Sequence, residues 1–385
     1  MAGRLSRVPD VVIVGGGIIG AACAHELVRA GASVTLIERD ELAAGASGRN
    51  QGWLIIPDDP VNRPLFEPSL AIYRDAAARA PLPVWIDADE VDHLFVGFEG
   101  DEEPSGGETR PITREELLSL EPALSPRAER GWIEHGGRRL DPAALTVGLA
   151  LLAGEAGATI HHHLSVRALD VDGDRVRGVI TDDGRLPSDL VLVAAGPWST
   201  KLLDPLGVRL PVRPARGWIV RLQPSAPLVH HLVERVGWRE REWRERADDV
   251  PTGGSFAQRG LRSVGGALLN PHPDGSVLIG SSREPAIGPE PVDPDVPRRQ
   301  VAEAVELVPS LADAEVKSAW WGVRPLSPDD RPMIGPVRDG LLVATGHGSE
   351  GVILGGGTAT LVAAMVQQAP PPFDPAPFDP LRFER

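Results

Sequence analysis

The amino-terminal part of the chain alternates between apolar runs and a segment with helical spacing. Residues 10–14 (DVVIV) are a short apolar run, as in a parallel strand that is buried on both faces, and residues 33–37 (SVTLI) predict a second strand. The turn 15–20 (GGGIIG) lies between them, and Gly31 suits the position just past a helix end. The intervening segment has apolar residues at Ile19, Cys23, Leu27 and Ala30. This pattern predicts a β–α–β unit.

Apolar runs return later in the chain. Residues 190–195 and 341–345 are each expected to form a strand that ends at a glycine, and 351–368 predicts a helix of small residues. The segments 176–181 and 276–280 alternate between apolar and other residues, as strands of an antiparallel sheet do. We therefore predict an α/β fold, in which a Rossmann-type nucleotide-binding domain is interleaved with an α+β domain built on an antiparallel sheet.

The order of these elements also predicts the domain boundaries. The tail is rich in proline, so we expect it to be extended. The nucleotide-binding domain is assigned to 1–84, 141–206 and 316–370, the second domain to 85–140 and 207–315, and the extended tail to 371–385.

Composition and charge narrow the class of function. The 385 residues carry a formal net charge of −15, which disfavours binding to the phosphate backbone of nucleic acids. The only cysteine, Cys23, cannot form an internal disulfide or a thiolate metal cluster. No apolar run reaches the ~18 residues of a membrane span, and the first apolar stretch is better explained as a strand than as a signal peptide. We expect a cytoplasmic protein that acts on a small molecule.

The glycine-rich turn has the pattern G-x-G-x-x-G and follows a predicted strand. Gly15 allows the tight turn, Gly17 lets backbone amides approach a pyrophosphate, and Gly20 permits the helix to pack closely on the strand. The helix amino terminus favours an anion there. Glu38 ends the second strand and can accept hydrogen bonds from ribose hydroxyls, while its charge would repel a 2′-phosphate. The motif therefore predicts FAD or NAD in preference to NADP.

The segments that follow this unit carry a resemblance to a known family. They are 45–53 (GASGRNQGW), 190–199 (LVLVAAGPWS), 322–329 (GVRPLSPD) and 345–352 (TGHGSEGV). With these segments in this order, the chain resembles the D-amino-acid oxidase superfamily, which includes glycine oxidase, sarcosine oxidase and D-amino-acid dehydrogenase. The likeness runs nearly from end to end and implies FAD as the cofactor.

The resemblance also implies which residues meet the cofactor. The glycine turn and Glu38 would contact the pyrophosphate and the adenosine. The segment 51–53 would run beside the flavin, and the loop from His347 would present backbone amides to the pyrimidine end of the flavin. The implied residues are Gly15, Gly17, Ile18, Gly20, Glu38, Arg39, Ala46, Ser47, Gln51, Gly52, Trp53, Val166, Ala195, Gly196, His347, Gly348, Ser349, Glu350, Gly351 and Val352.

Arg324 is the principal candidate for substrate binding. In amino-acid-oxidising relatives, the arginine of a G-x-R-P stretch binds the substrate carboxylate, and a guanidinium can pair with a carboxylate through two parallel hydrogen bonds. The alternative is a structural ion pair with an acid such as Asp329. Ser349 and Trp218 complete the predicted substrate contacts.

The positions of tyrosine, cysteine and lysine in this sequence differ from those in members of the superfamily. The only tyrosine, Tyr73, falls in a predicted helix, although tyrosines often line these active sites, so tryptophans are candidates to replace them. Cys23 lies in the first helix and not near the G-x-R-P stretch, so we expect FAD to be bound without a covalent bond. No lysine occurs between Lys201 and Lys317, whereas sarcosine-oxidase-like members use a lysine in oxygen activation. Oxygen and another electron acceptor therefore both remain open. The tryptophans concerned are Trp218, Trp238, Trp243, Trp320 and Trp321.

Other polar segments are interpreted more simply. Residues 161–163 (HHH) suggest a metal site, but alternation along a strand lets at most two of them converge, so a surface strand is favoured and no metal is predicted. Segment 238–249 (WREREWRERADD) suits a solvated helix or a lid over the site. His347 is not assigned proton transfer, and no catalytic base is identified.

Together these features predict an FAD-dependent oxidoreductase that oxidises the C–N bond of an amino acid or related secondary amine, with hydride passing to flavin N5. The alternatives are an FAD-dependent 2-hydroxy-acid oxidase or dehydrogenase, and a non-catalytic flavin-binding interaction protein. The expected partners are a small-molecule amine substrate and an electron acceptor.

Overall fold

The computed structural model describes residues 9–104, 108–237, 267–280, 282–285 and 294–384. Trp238, Trp243 and the predicted charged helix 238–249 lie outside these residues. The described strands, in chain order, are β1 (Asp10–Val14), β2 (Ser33–Ile37), β3 (Trp53–Leu54), β4 (Val91–Gly97), β5 (Arg110–Ile112), β6 (Arg130–Arg139), β7 (Thr159–His161), β8 (Val166–Asp172), β9 (Arg175–Thr181), β10 (Gly184–Pro187), β11 (Leu190–Val193), β12 (Arg213–Gln223), β13 (Leu232–Arg235), β14 (Leu268–Pro271), β15 (Val277–Gly280), β16 (Glu284–Pro285), β17 (Glu315–Leu326), β18 (Met333–Arg338) and β19 (Leu341–Thr345).

The α-helices of the same residues cover the faces of these sheets. Among the described residues, no helix is long and apolar enough to cross a membrane. In chain order the helices are α1 (Ile18–Arg29), α2 (Phe66–Arg79), α3 (Arg114–Leu120), α4 (Pro142–Glu155), α5 (Ser199–Leu203), α6 (Val296–Leu307) and α7 (Gly351–Gln367).

A six-stranded sheet forms the nucleotide-binding half, in the order β18-β19-β11-β1-β2-β7. Its strands are parallel except for the β18–β19 pair. On β1, Val11 and Ile13 pack with the helices α1, α4 and α7, whereas Val12 and Val14 pack under the three-stranded sheet β10-β9-β8. Both faces of β1 are therefore covered, which explains its continuous apolar sequence. The predicted β–α–β unit is confirmed.

A ten-stranded sheet forms the second half. It runs β16-β12-β15-β14-β13-β4-β6-β3, with β17 paired to β12 and β5 paired to β6. Its pairs are antiparallel except β13–β4, which is parallel. Apolar residues on one face of this sheet pack against α3 and α6. The other face turns towards a cavity. The interleaved α/β and α+β architecture is confirmed.

The boundary predicted at 316 is wrong. It falls inside β17, which pairs with β12 of the large sheet from Glu315 to Leu326. The chain returns to the nucleotide-binding sheet only at β18. The short strand β3 likewise pairs with β6 of the large sheet, although it lies within the segment 1–84. The sheet to which each strand belongs depends on the strand with which it pairs. The pattern of apolar residues along a single sequence does not identify that partner.

The carboxy-terminal tail is not extended as predicted. It contains a short 3₁₀ helix, Ala376–Phe378, and the Phe378 ring is buried in the main core with the Phe373 ring packed edge-on against it. Arg382 donates to both carboxylate oxygens of Asp329, at 2.9 and 2.8 Å. Proline limits regular secondary structure here, but the apolar rings between the prolines still gain free energy by leaving water.

Candidate functional site: a cavity between the two sheets

A cavity of about 1200 Å³ runs from the glycine turn to the face of the large sheet. It is larger than the roughly 300–1,000 Å³ common for a single small ligand, so it has room for a dinucleotide and a substrate together. It is lined by every residue of the predicted cofactor and substrate sets except Gly20, Gly52 and Trp218.

The glycine turn brings the amino terminus of α1 to the cavity. Gly15 has φ +116°, and a Cβ there would lie 2.8 Å from the carbonyl carbon of Ala194. Gly17 caps α1 without a side-chain hydrogen bond, and the first turn of α1 holds no acidic residue. The positive end of the α1 dipole therefore remains available to a pyrophosphate. Gly20 does not line the cavity; a Cβ there would overlap the Gly15 carbonyl oxygen, so its role is close packing.

Glu38 is held in place for a ribose. Its carboxylate accepts hydrogen bonds from the backbone N–H of Gly16 at 2.7 Å and of Asp40 at 2.9 Å. A carboxylate has about four lone-pair positions, so further donors can still bind. Arg39, next along the chain, lies 4.2 Å from the centre of the Trp198 ring. Val166, at the start of β8, lines the same end of the cavity.

The segment 46–53 connects the glycine turn to the large sheet. The Ser47 hydroxyl accepts a hydrogen bond from Ile18 N–H at 2.8 Å. The Gln51 side chain is buried and donates to the carbonyls of Leu268 and Leu278, at 3.0 and 3.1 Å. Gly52 has φ +72° and lies against the Leu140 backbone, so it forms the turn and does not line the cavity. The loop is therefore fixed at both ends before any ligand binds.

The loop before α7 closes the far end of the cavity. Gly346 and Gly348 have φ +77° and +56°, and Gly348 N–H donates to the Pro325 carbonyl at 2.9 Å. The loop is thus tied to the strand that carries Arg324. His347 is buried, its Nε2 lies 3.0 Å from the Thr358 hydroxyl, and burial lowers the pKa of His347 to about 3. A neutral imidazole of this kind is a structural group and not a proton donor at neutral pH.

Arg324 reaches the cavity across β12. Its guanidinium donates to the Ser282 carbonyl at 3.0 Å and covers Gly217, where a Cβ would lie 2.6 Å from Cζ. Only glycine at 217 leaves room for this arrangement. Asp329, the acid considered as an ion-pair partner, is instead bound by Arg382. Asp329 is therefore not the acid that would form this ion pair.

Trp218 does not line the cavity, which corrects its prediction as a substrate contact. Gly217 and Ile219 line the cavity, and side chains alternate along β12, so Trp218 belongs to the opposite face. Val220 and Leu222, which share that face, pack against Ala304 and Leu307 of the core under α6. The register of β12 thus decides whether Trp218 faces the cavity.

Two further charged groups at the cavity were not predicted from the sequence. Arg283 Nη2 donates to the Ser349 hydroxyl at 3.2 Å. Glu234 on β13 lies 3.4 Å from Nε2 of buried His93, whose Nδ1 lies 3.3 Å from Glu134. The His93 ring therefore lies between two carboxylates, one of which lines the cavity. These residues come from separate strands, so no local sequence signal joins them.

The residues present fit FAD. The cavity is lined by an open helix amino terminus, which suits a pyrophosphate, and by a fixed carboxylate, which suits a ribose, and it extends well beyond both. The indole Nε1 of Trp53, which lines the cavity, is a buried donor without a hydrogen-bond partner among the described residues. Such a donor suits a polar ring system bound beside it. The fold and the cavity are those of a protein that binds a dinucleotide cofactor.

Comparisons with known proteins agree. Residues 10–365 match the model of the DAO family, FAD dependent oxidoreductase. A glycine oxidase from Pseudomonas aeruginosa is 31% identical over 397 residues, covering 96% of this chain and 98% of that protein. The crystal structure of glycine oxidase from Geobacillus kaustophilus has a TM-score of 0.80 at 24% identity, covering 97% and 98% of the two chains. That of L-proline dehydrogenase from P. horikoshii has a TM-score of 0.78 at 20% identity, covering 99% of each.

The chain therefore belongs to the DAO family of FAD-dependent oxidoreductases. Its cofactor is FAD. The fold, the family and the cofactor expected from the sequence are confirmed.

Proposed function

We propose that this enzyme oxidises the C–N bond of a small amino acid or N-substituted amino acid, with the substrate carboxylate bound to Arg324. The observation that carries the proposal is the Arg324 guanidinium in the cavity, held by the Ser282 carbonyl on one side and above Gly217. A guanidinium presents parallel N–H groups that match a carboxylate. The likeness to glycine oxidase at 31% identity supports a substrate of the amino-acid class.

The main contribution of the protein chain to the reaction is to position the substrate relative to FAD. FAD, when bound, supplies the hydride acceptor. Arg324 would fix the carboxylate, and the loop that precedes α7 is joined to the Arg324 strand through Gly348 and Pro325. This hydrogen bond ties the substrate anchor to the cofactor loop, which would limit the orientational freedom of the reacting pair.

We also propose the division of the cavity between the parts of FAD. Glu38 and Val166 would meet the adenosine, the start of α1 the pyrophosphate, and the amides of 348–351 the flavin. The helix α7 begins at Gly351 without a side-chain cap, so its unpaired N–H groups can stabilise negative charge.

We propose that the FAD is not covalently bound, because Cys23 is fully buried inside α1 and does not line the cavity. Burial also raises the pKa of the Cys23 thiol, which suppresses its nucleophilic form. Acid precipitation should leave yellow FAD in the supernatant; flavin retained in the pellet would contradict this. A cytoplasmic location is proposed as well, because the first apolar stretch forms the buried strand β1 of the sheet, and cell fractionation tests it.

Anaerobic bleaching of the bound flavin tests the proposed reaction. The panel contains glycine, sarcosine, other amino acids, uncharged amines and 2-hydroxy acids. We expect amino acids to bleach the flavin and the hydroxy acids to leave it oxidised. Bleaching by hydroxy acids alone would support the second candidate, and a flavin that no compound bleaches would support a binding protein without turnover. Re-oxidation by oxygen and by a dye then distinguishes oxidase from dehydrogenase.

A further inference from the structure

Two histidines and a glutamate meet at the edge of the six-stranded sheet. His163 Nε2 lies 2.9 Å from Glu41 Oε1, and His162 Nδ1 lies 3.6 Å from Glu41 Oε2. One ligand atom from each residue lies within 4.8 Å of the other two. All three side chains are more than half exposed, so an ion from solvent can reach them.

The backbone explains why neighbouring histidines can converge. His161 ends β7, where it pairs with Ile37 of β2, and the strict alternation of side chains ends with it. His163 follows with φ +58°, and its N–H donates to the Asp40 carbonyl at 3.1 Å. The turn therefore brings the rings of His162 and His163 to 4.8 Å, both beside Glu41. The surface strand predicted for 161–163 is confirmed only for His161.

The chemistry of these side chains favours a transition metal over a simple ion pair. Exposed pairs between a carboxylate and an imidazole contribute little to stability. Two imidazoles and one carboxylate, by contrast, are ligands that zinc and its neighbours prefer, and water can fill the remaining position. Ligand atoms of a tetrahedral zinc site lie about 3.4 Å apart. The two separations from Glu41, 2.9 and 3.6 Å, lie on either side of that value, so small rotations of these exposed side chains can reach it.

We propose that Glu41, His162 and His163 bind one divalent transition-metal ion of the zinc class. Glu41 and His163 also line the cavity, as Glu38 does. Glu38 N–H donates to the His161 carbonyl at 2.8 Å, and Leu164 N–H donates to the Glu38 carbonyl at 2.9 Å. A bound ion joins the same two segments through their side chains. It therefore holds together the border of the adenosine end and slows the release of FAD.

Zinc binding to the holoenzyme, freed of any histidine tag, tests the site. Equilibrium dialysis with metal analysis should find one zinc per chain, half-saturated at about 10 µM, well weaker than a closed four-ligand site. His162→Gln and Glu41→Gln should each weaken binding at least tenfold. His135→Gln is the matched control, because His135 is equally exposed and pairs with a carboxylate, Asp92, at 2.7 Å. This variant should bind zinc as the unmodified enzyme does.

FAD release provides the second measurement. Zinc should lengthen the half-time of flavin release, followed by fluorescence, at least twofold in the unmodified enzyme and not in His162→Gln. No stoichiometric zinc, or equal loss in His162→Gln and His135→Gln, would overturn the site. Stoichiometric zinc with unchanged FAD release would overturn its link to the cofactor. Neither result depends on which substrate the enzyme oxidises.

Discussion

Arg324 and Gly217 form a pair in which one residue makes room for the other. The guanidinium occupies the space where any side chain at 217 would begin. This close approach gives two independent ways to disturb the same anchor, one by removing the charge and one by moving it.

Replacing Arg324 with methionine should raise KM for carboxylate substrates by tenfold or more. Loss of a desolvated charge pair costs about 2–5 kcal/mol. Gly217→Ala should also raise KM for carboxylate substrates although it leaves Arg324 in place, since the alanine methyl group displaces the guanidinium. Steady-state kinetics with an amino acid and with an uncharged amine provide the comparison. Equal changes for both substrates would remove the role assigned to Arg324.

His347 should contribute to the pH dependence of stability. Its pKa is about 3 in the folded enzyme and about 6.5 when unfolded. The unfolded chain therefore takes up a proton that the folded chain does not, and the free energy of unfolding falls by about 1.4 kcal/mol per pH unit as the pH drops from 6.5 towards 3. Above pH 6.5 this contribution is constant.

Denaturant unfolding at pH 8 and pH 5.5 measures the contribution of His347. Between pH 8 and pH 5.5, the free energy of unfolding should fall by about 1.4 kcal/mol more in the unmodified enzyme than in His347→Gln. Gln at 347 does not titrate, and the other groups are common to both proteins. An identical pH dependence in the two proteins would show that His347 is not kept neutral by burial.

At the scale of elements, the contact of α7 with α2 depends on glycine. Gly357 N–H donates to the Ser69 hydroxyl at 2.8 Å, and Gly356 N–H donates to the Tyr73 hydroxyl at 3.1 Å. A Cβ at 357 would lie 2.6 Å from the Leu65 Cβ and closer still to its backbone. The only tyrosine of the chain is therefore a packing residue here, which no count of residue types reveals.

Gly357→Ala should destabilise the enzyme by about 1–3 kcal/mol, because overpacking outweighs the gain in helix propensity. Gly154→Ala in α4 is the control: its nearest neighbour would be an Ile160 side-chain carbon at an ordinary 3.7 Å. This second substitution should be neutral or stabilising by up to about 1 kcal/mol. Thermal unfolding compares the two, and the same sign for both would refute the packing argument.

The sequence predicted the bounds of strands better than it predicted the face of the sheet on which a side chain lies. The strands β1, β2 and β19 match their predicted bounds, because each is a short, mostly apolar segment that is followed directly by a glycine or an acid. The face of Trp218 could not be predicted, since a shift of one residue in the register of β12 reverses it. Glu234 and His93 are likewise brought together only by the parallel pairing of β13 with β4.

At the scale of the whole molecule, the tail completes the core. Phe378 is 1% exposed and belongs to the cluster that contains α1, α2 and α7. The carboxy-terminal segment therefore stabilises the half of the molecule that holds FAD, although it is distant from that half's glycine turn in sequence.

Phe378→Ala should cost about 3–5 kcal/mol of unfolding free energy, the usual range for a buried phenylalanine. Phe383→Ala is the matched control, because Phe383 is 39% exposed and its loss should stay within about 0.5 kcal/mol. Urea unfolding of the two variants gives the comparison. Similar costs for both would mean that the tail does not belong to the core.

The sequence alone determined the β–α–β unit, the glycine turn before α1, the acid that follows β2 and, through its resemblance, the family. These features depend on neighbours along the chain, where backbone sterics and apolar periodicity act directly. Tertiary structure alone decided that Arg324 lies over Gly217, that Trp218 faces away and that the tail is buried. It also brought Glu41 to His162 and His163. Each of these depends on strand pairing between distant segments, and the free energy of burial that selects one pairing is a property of the assembled core.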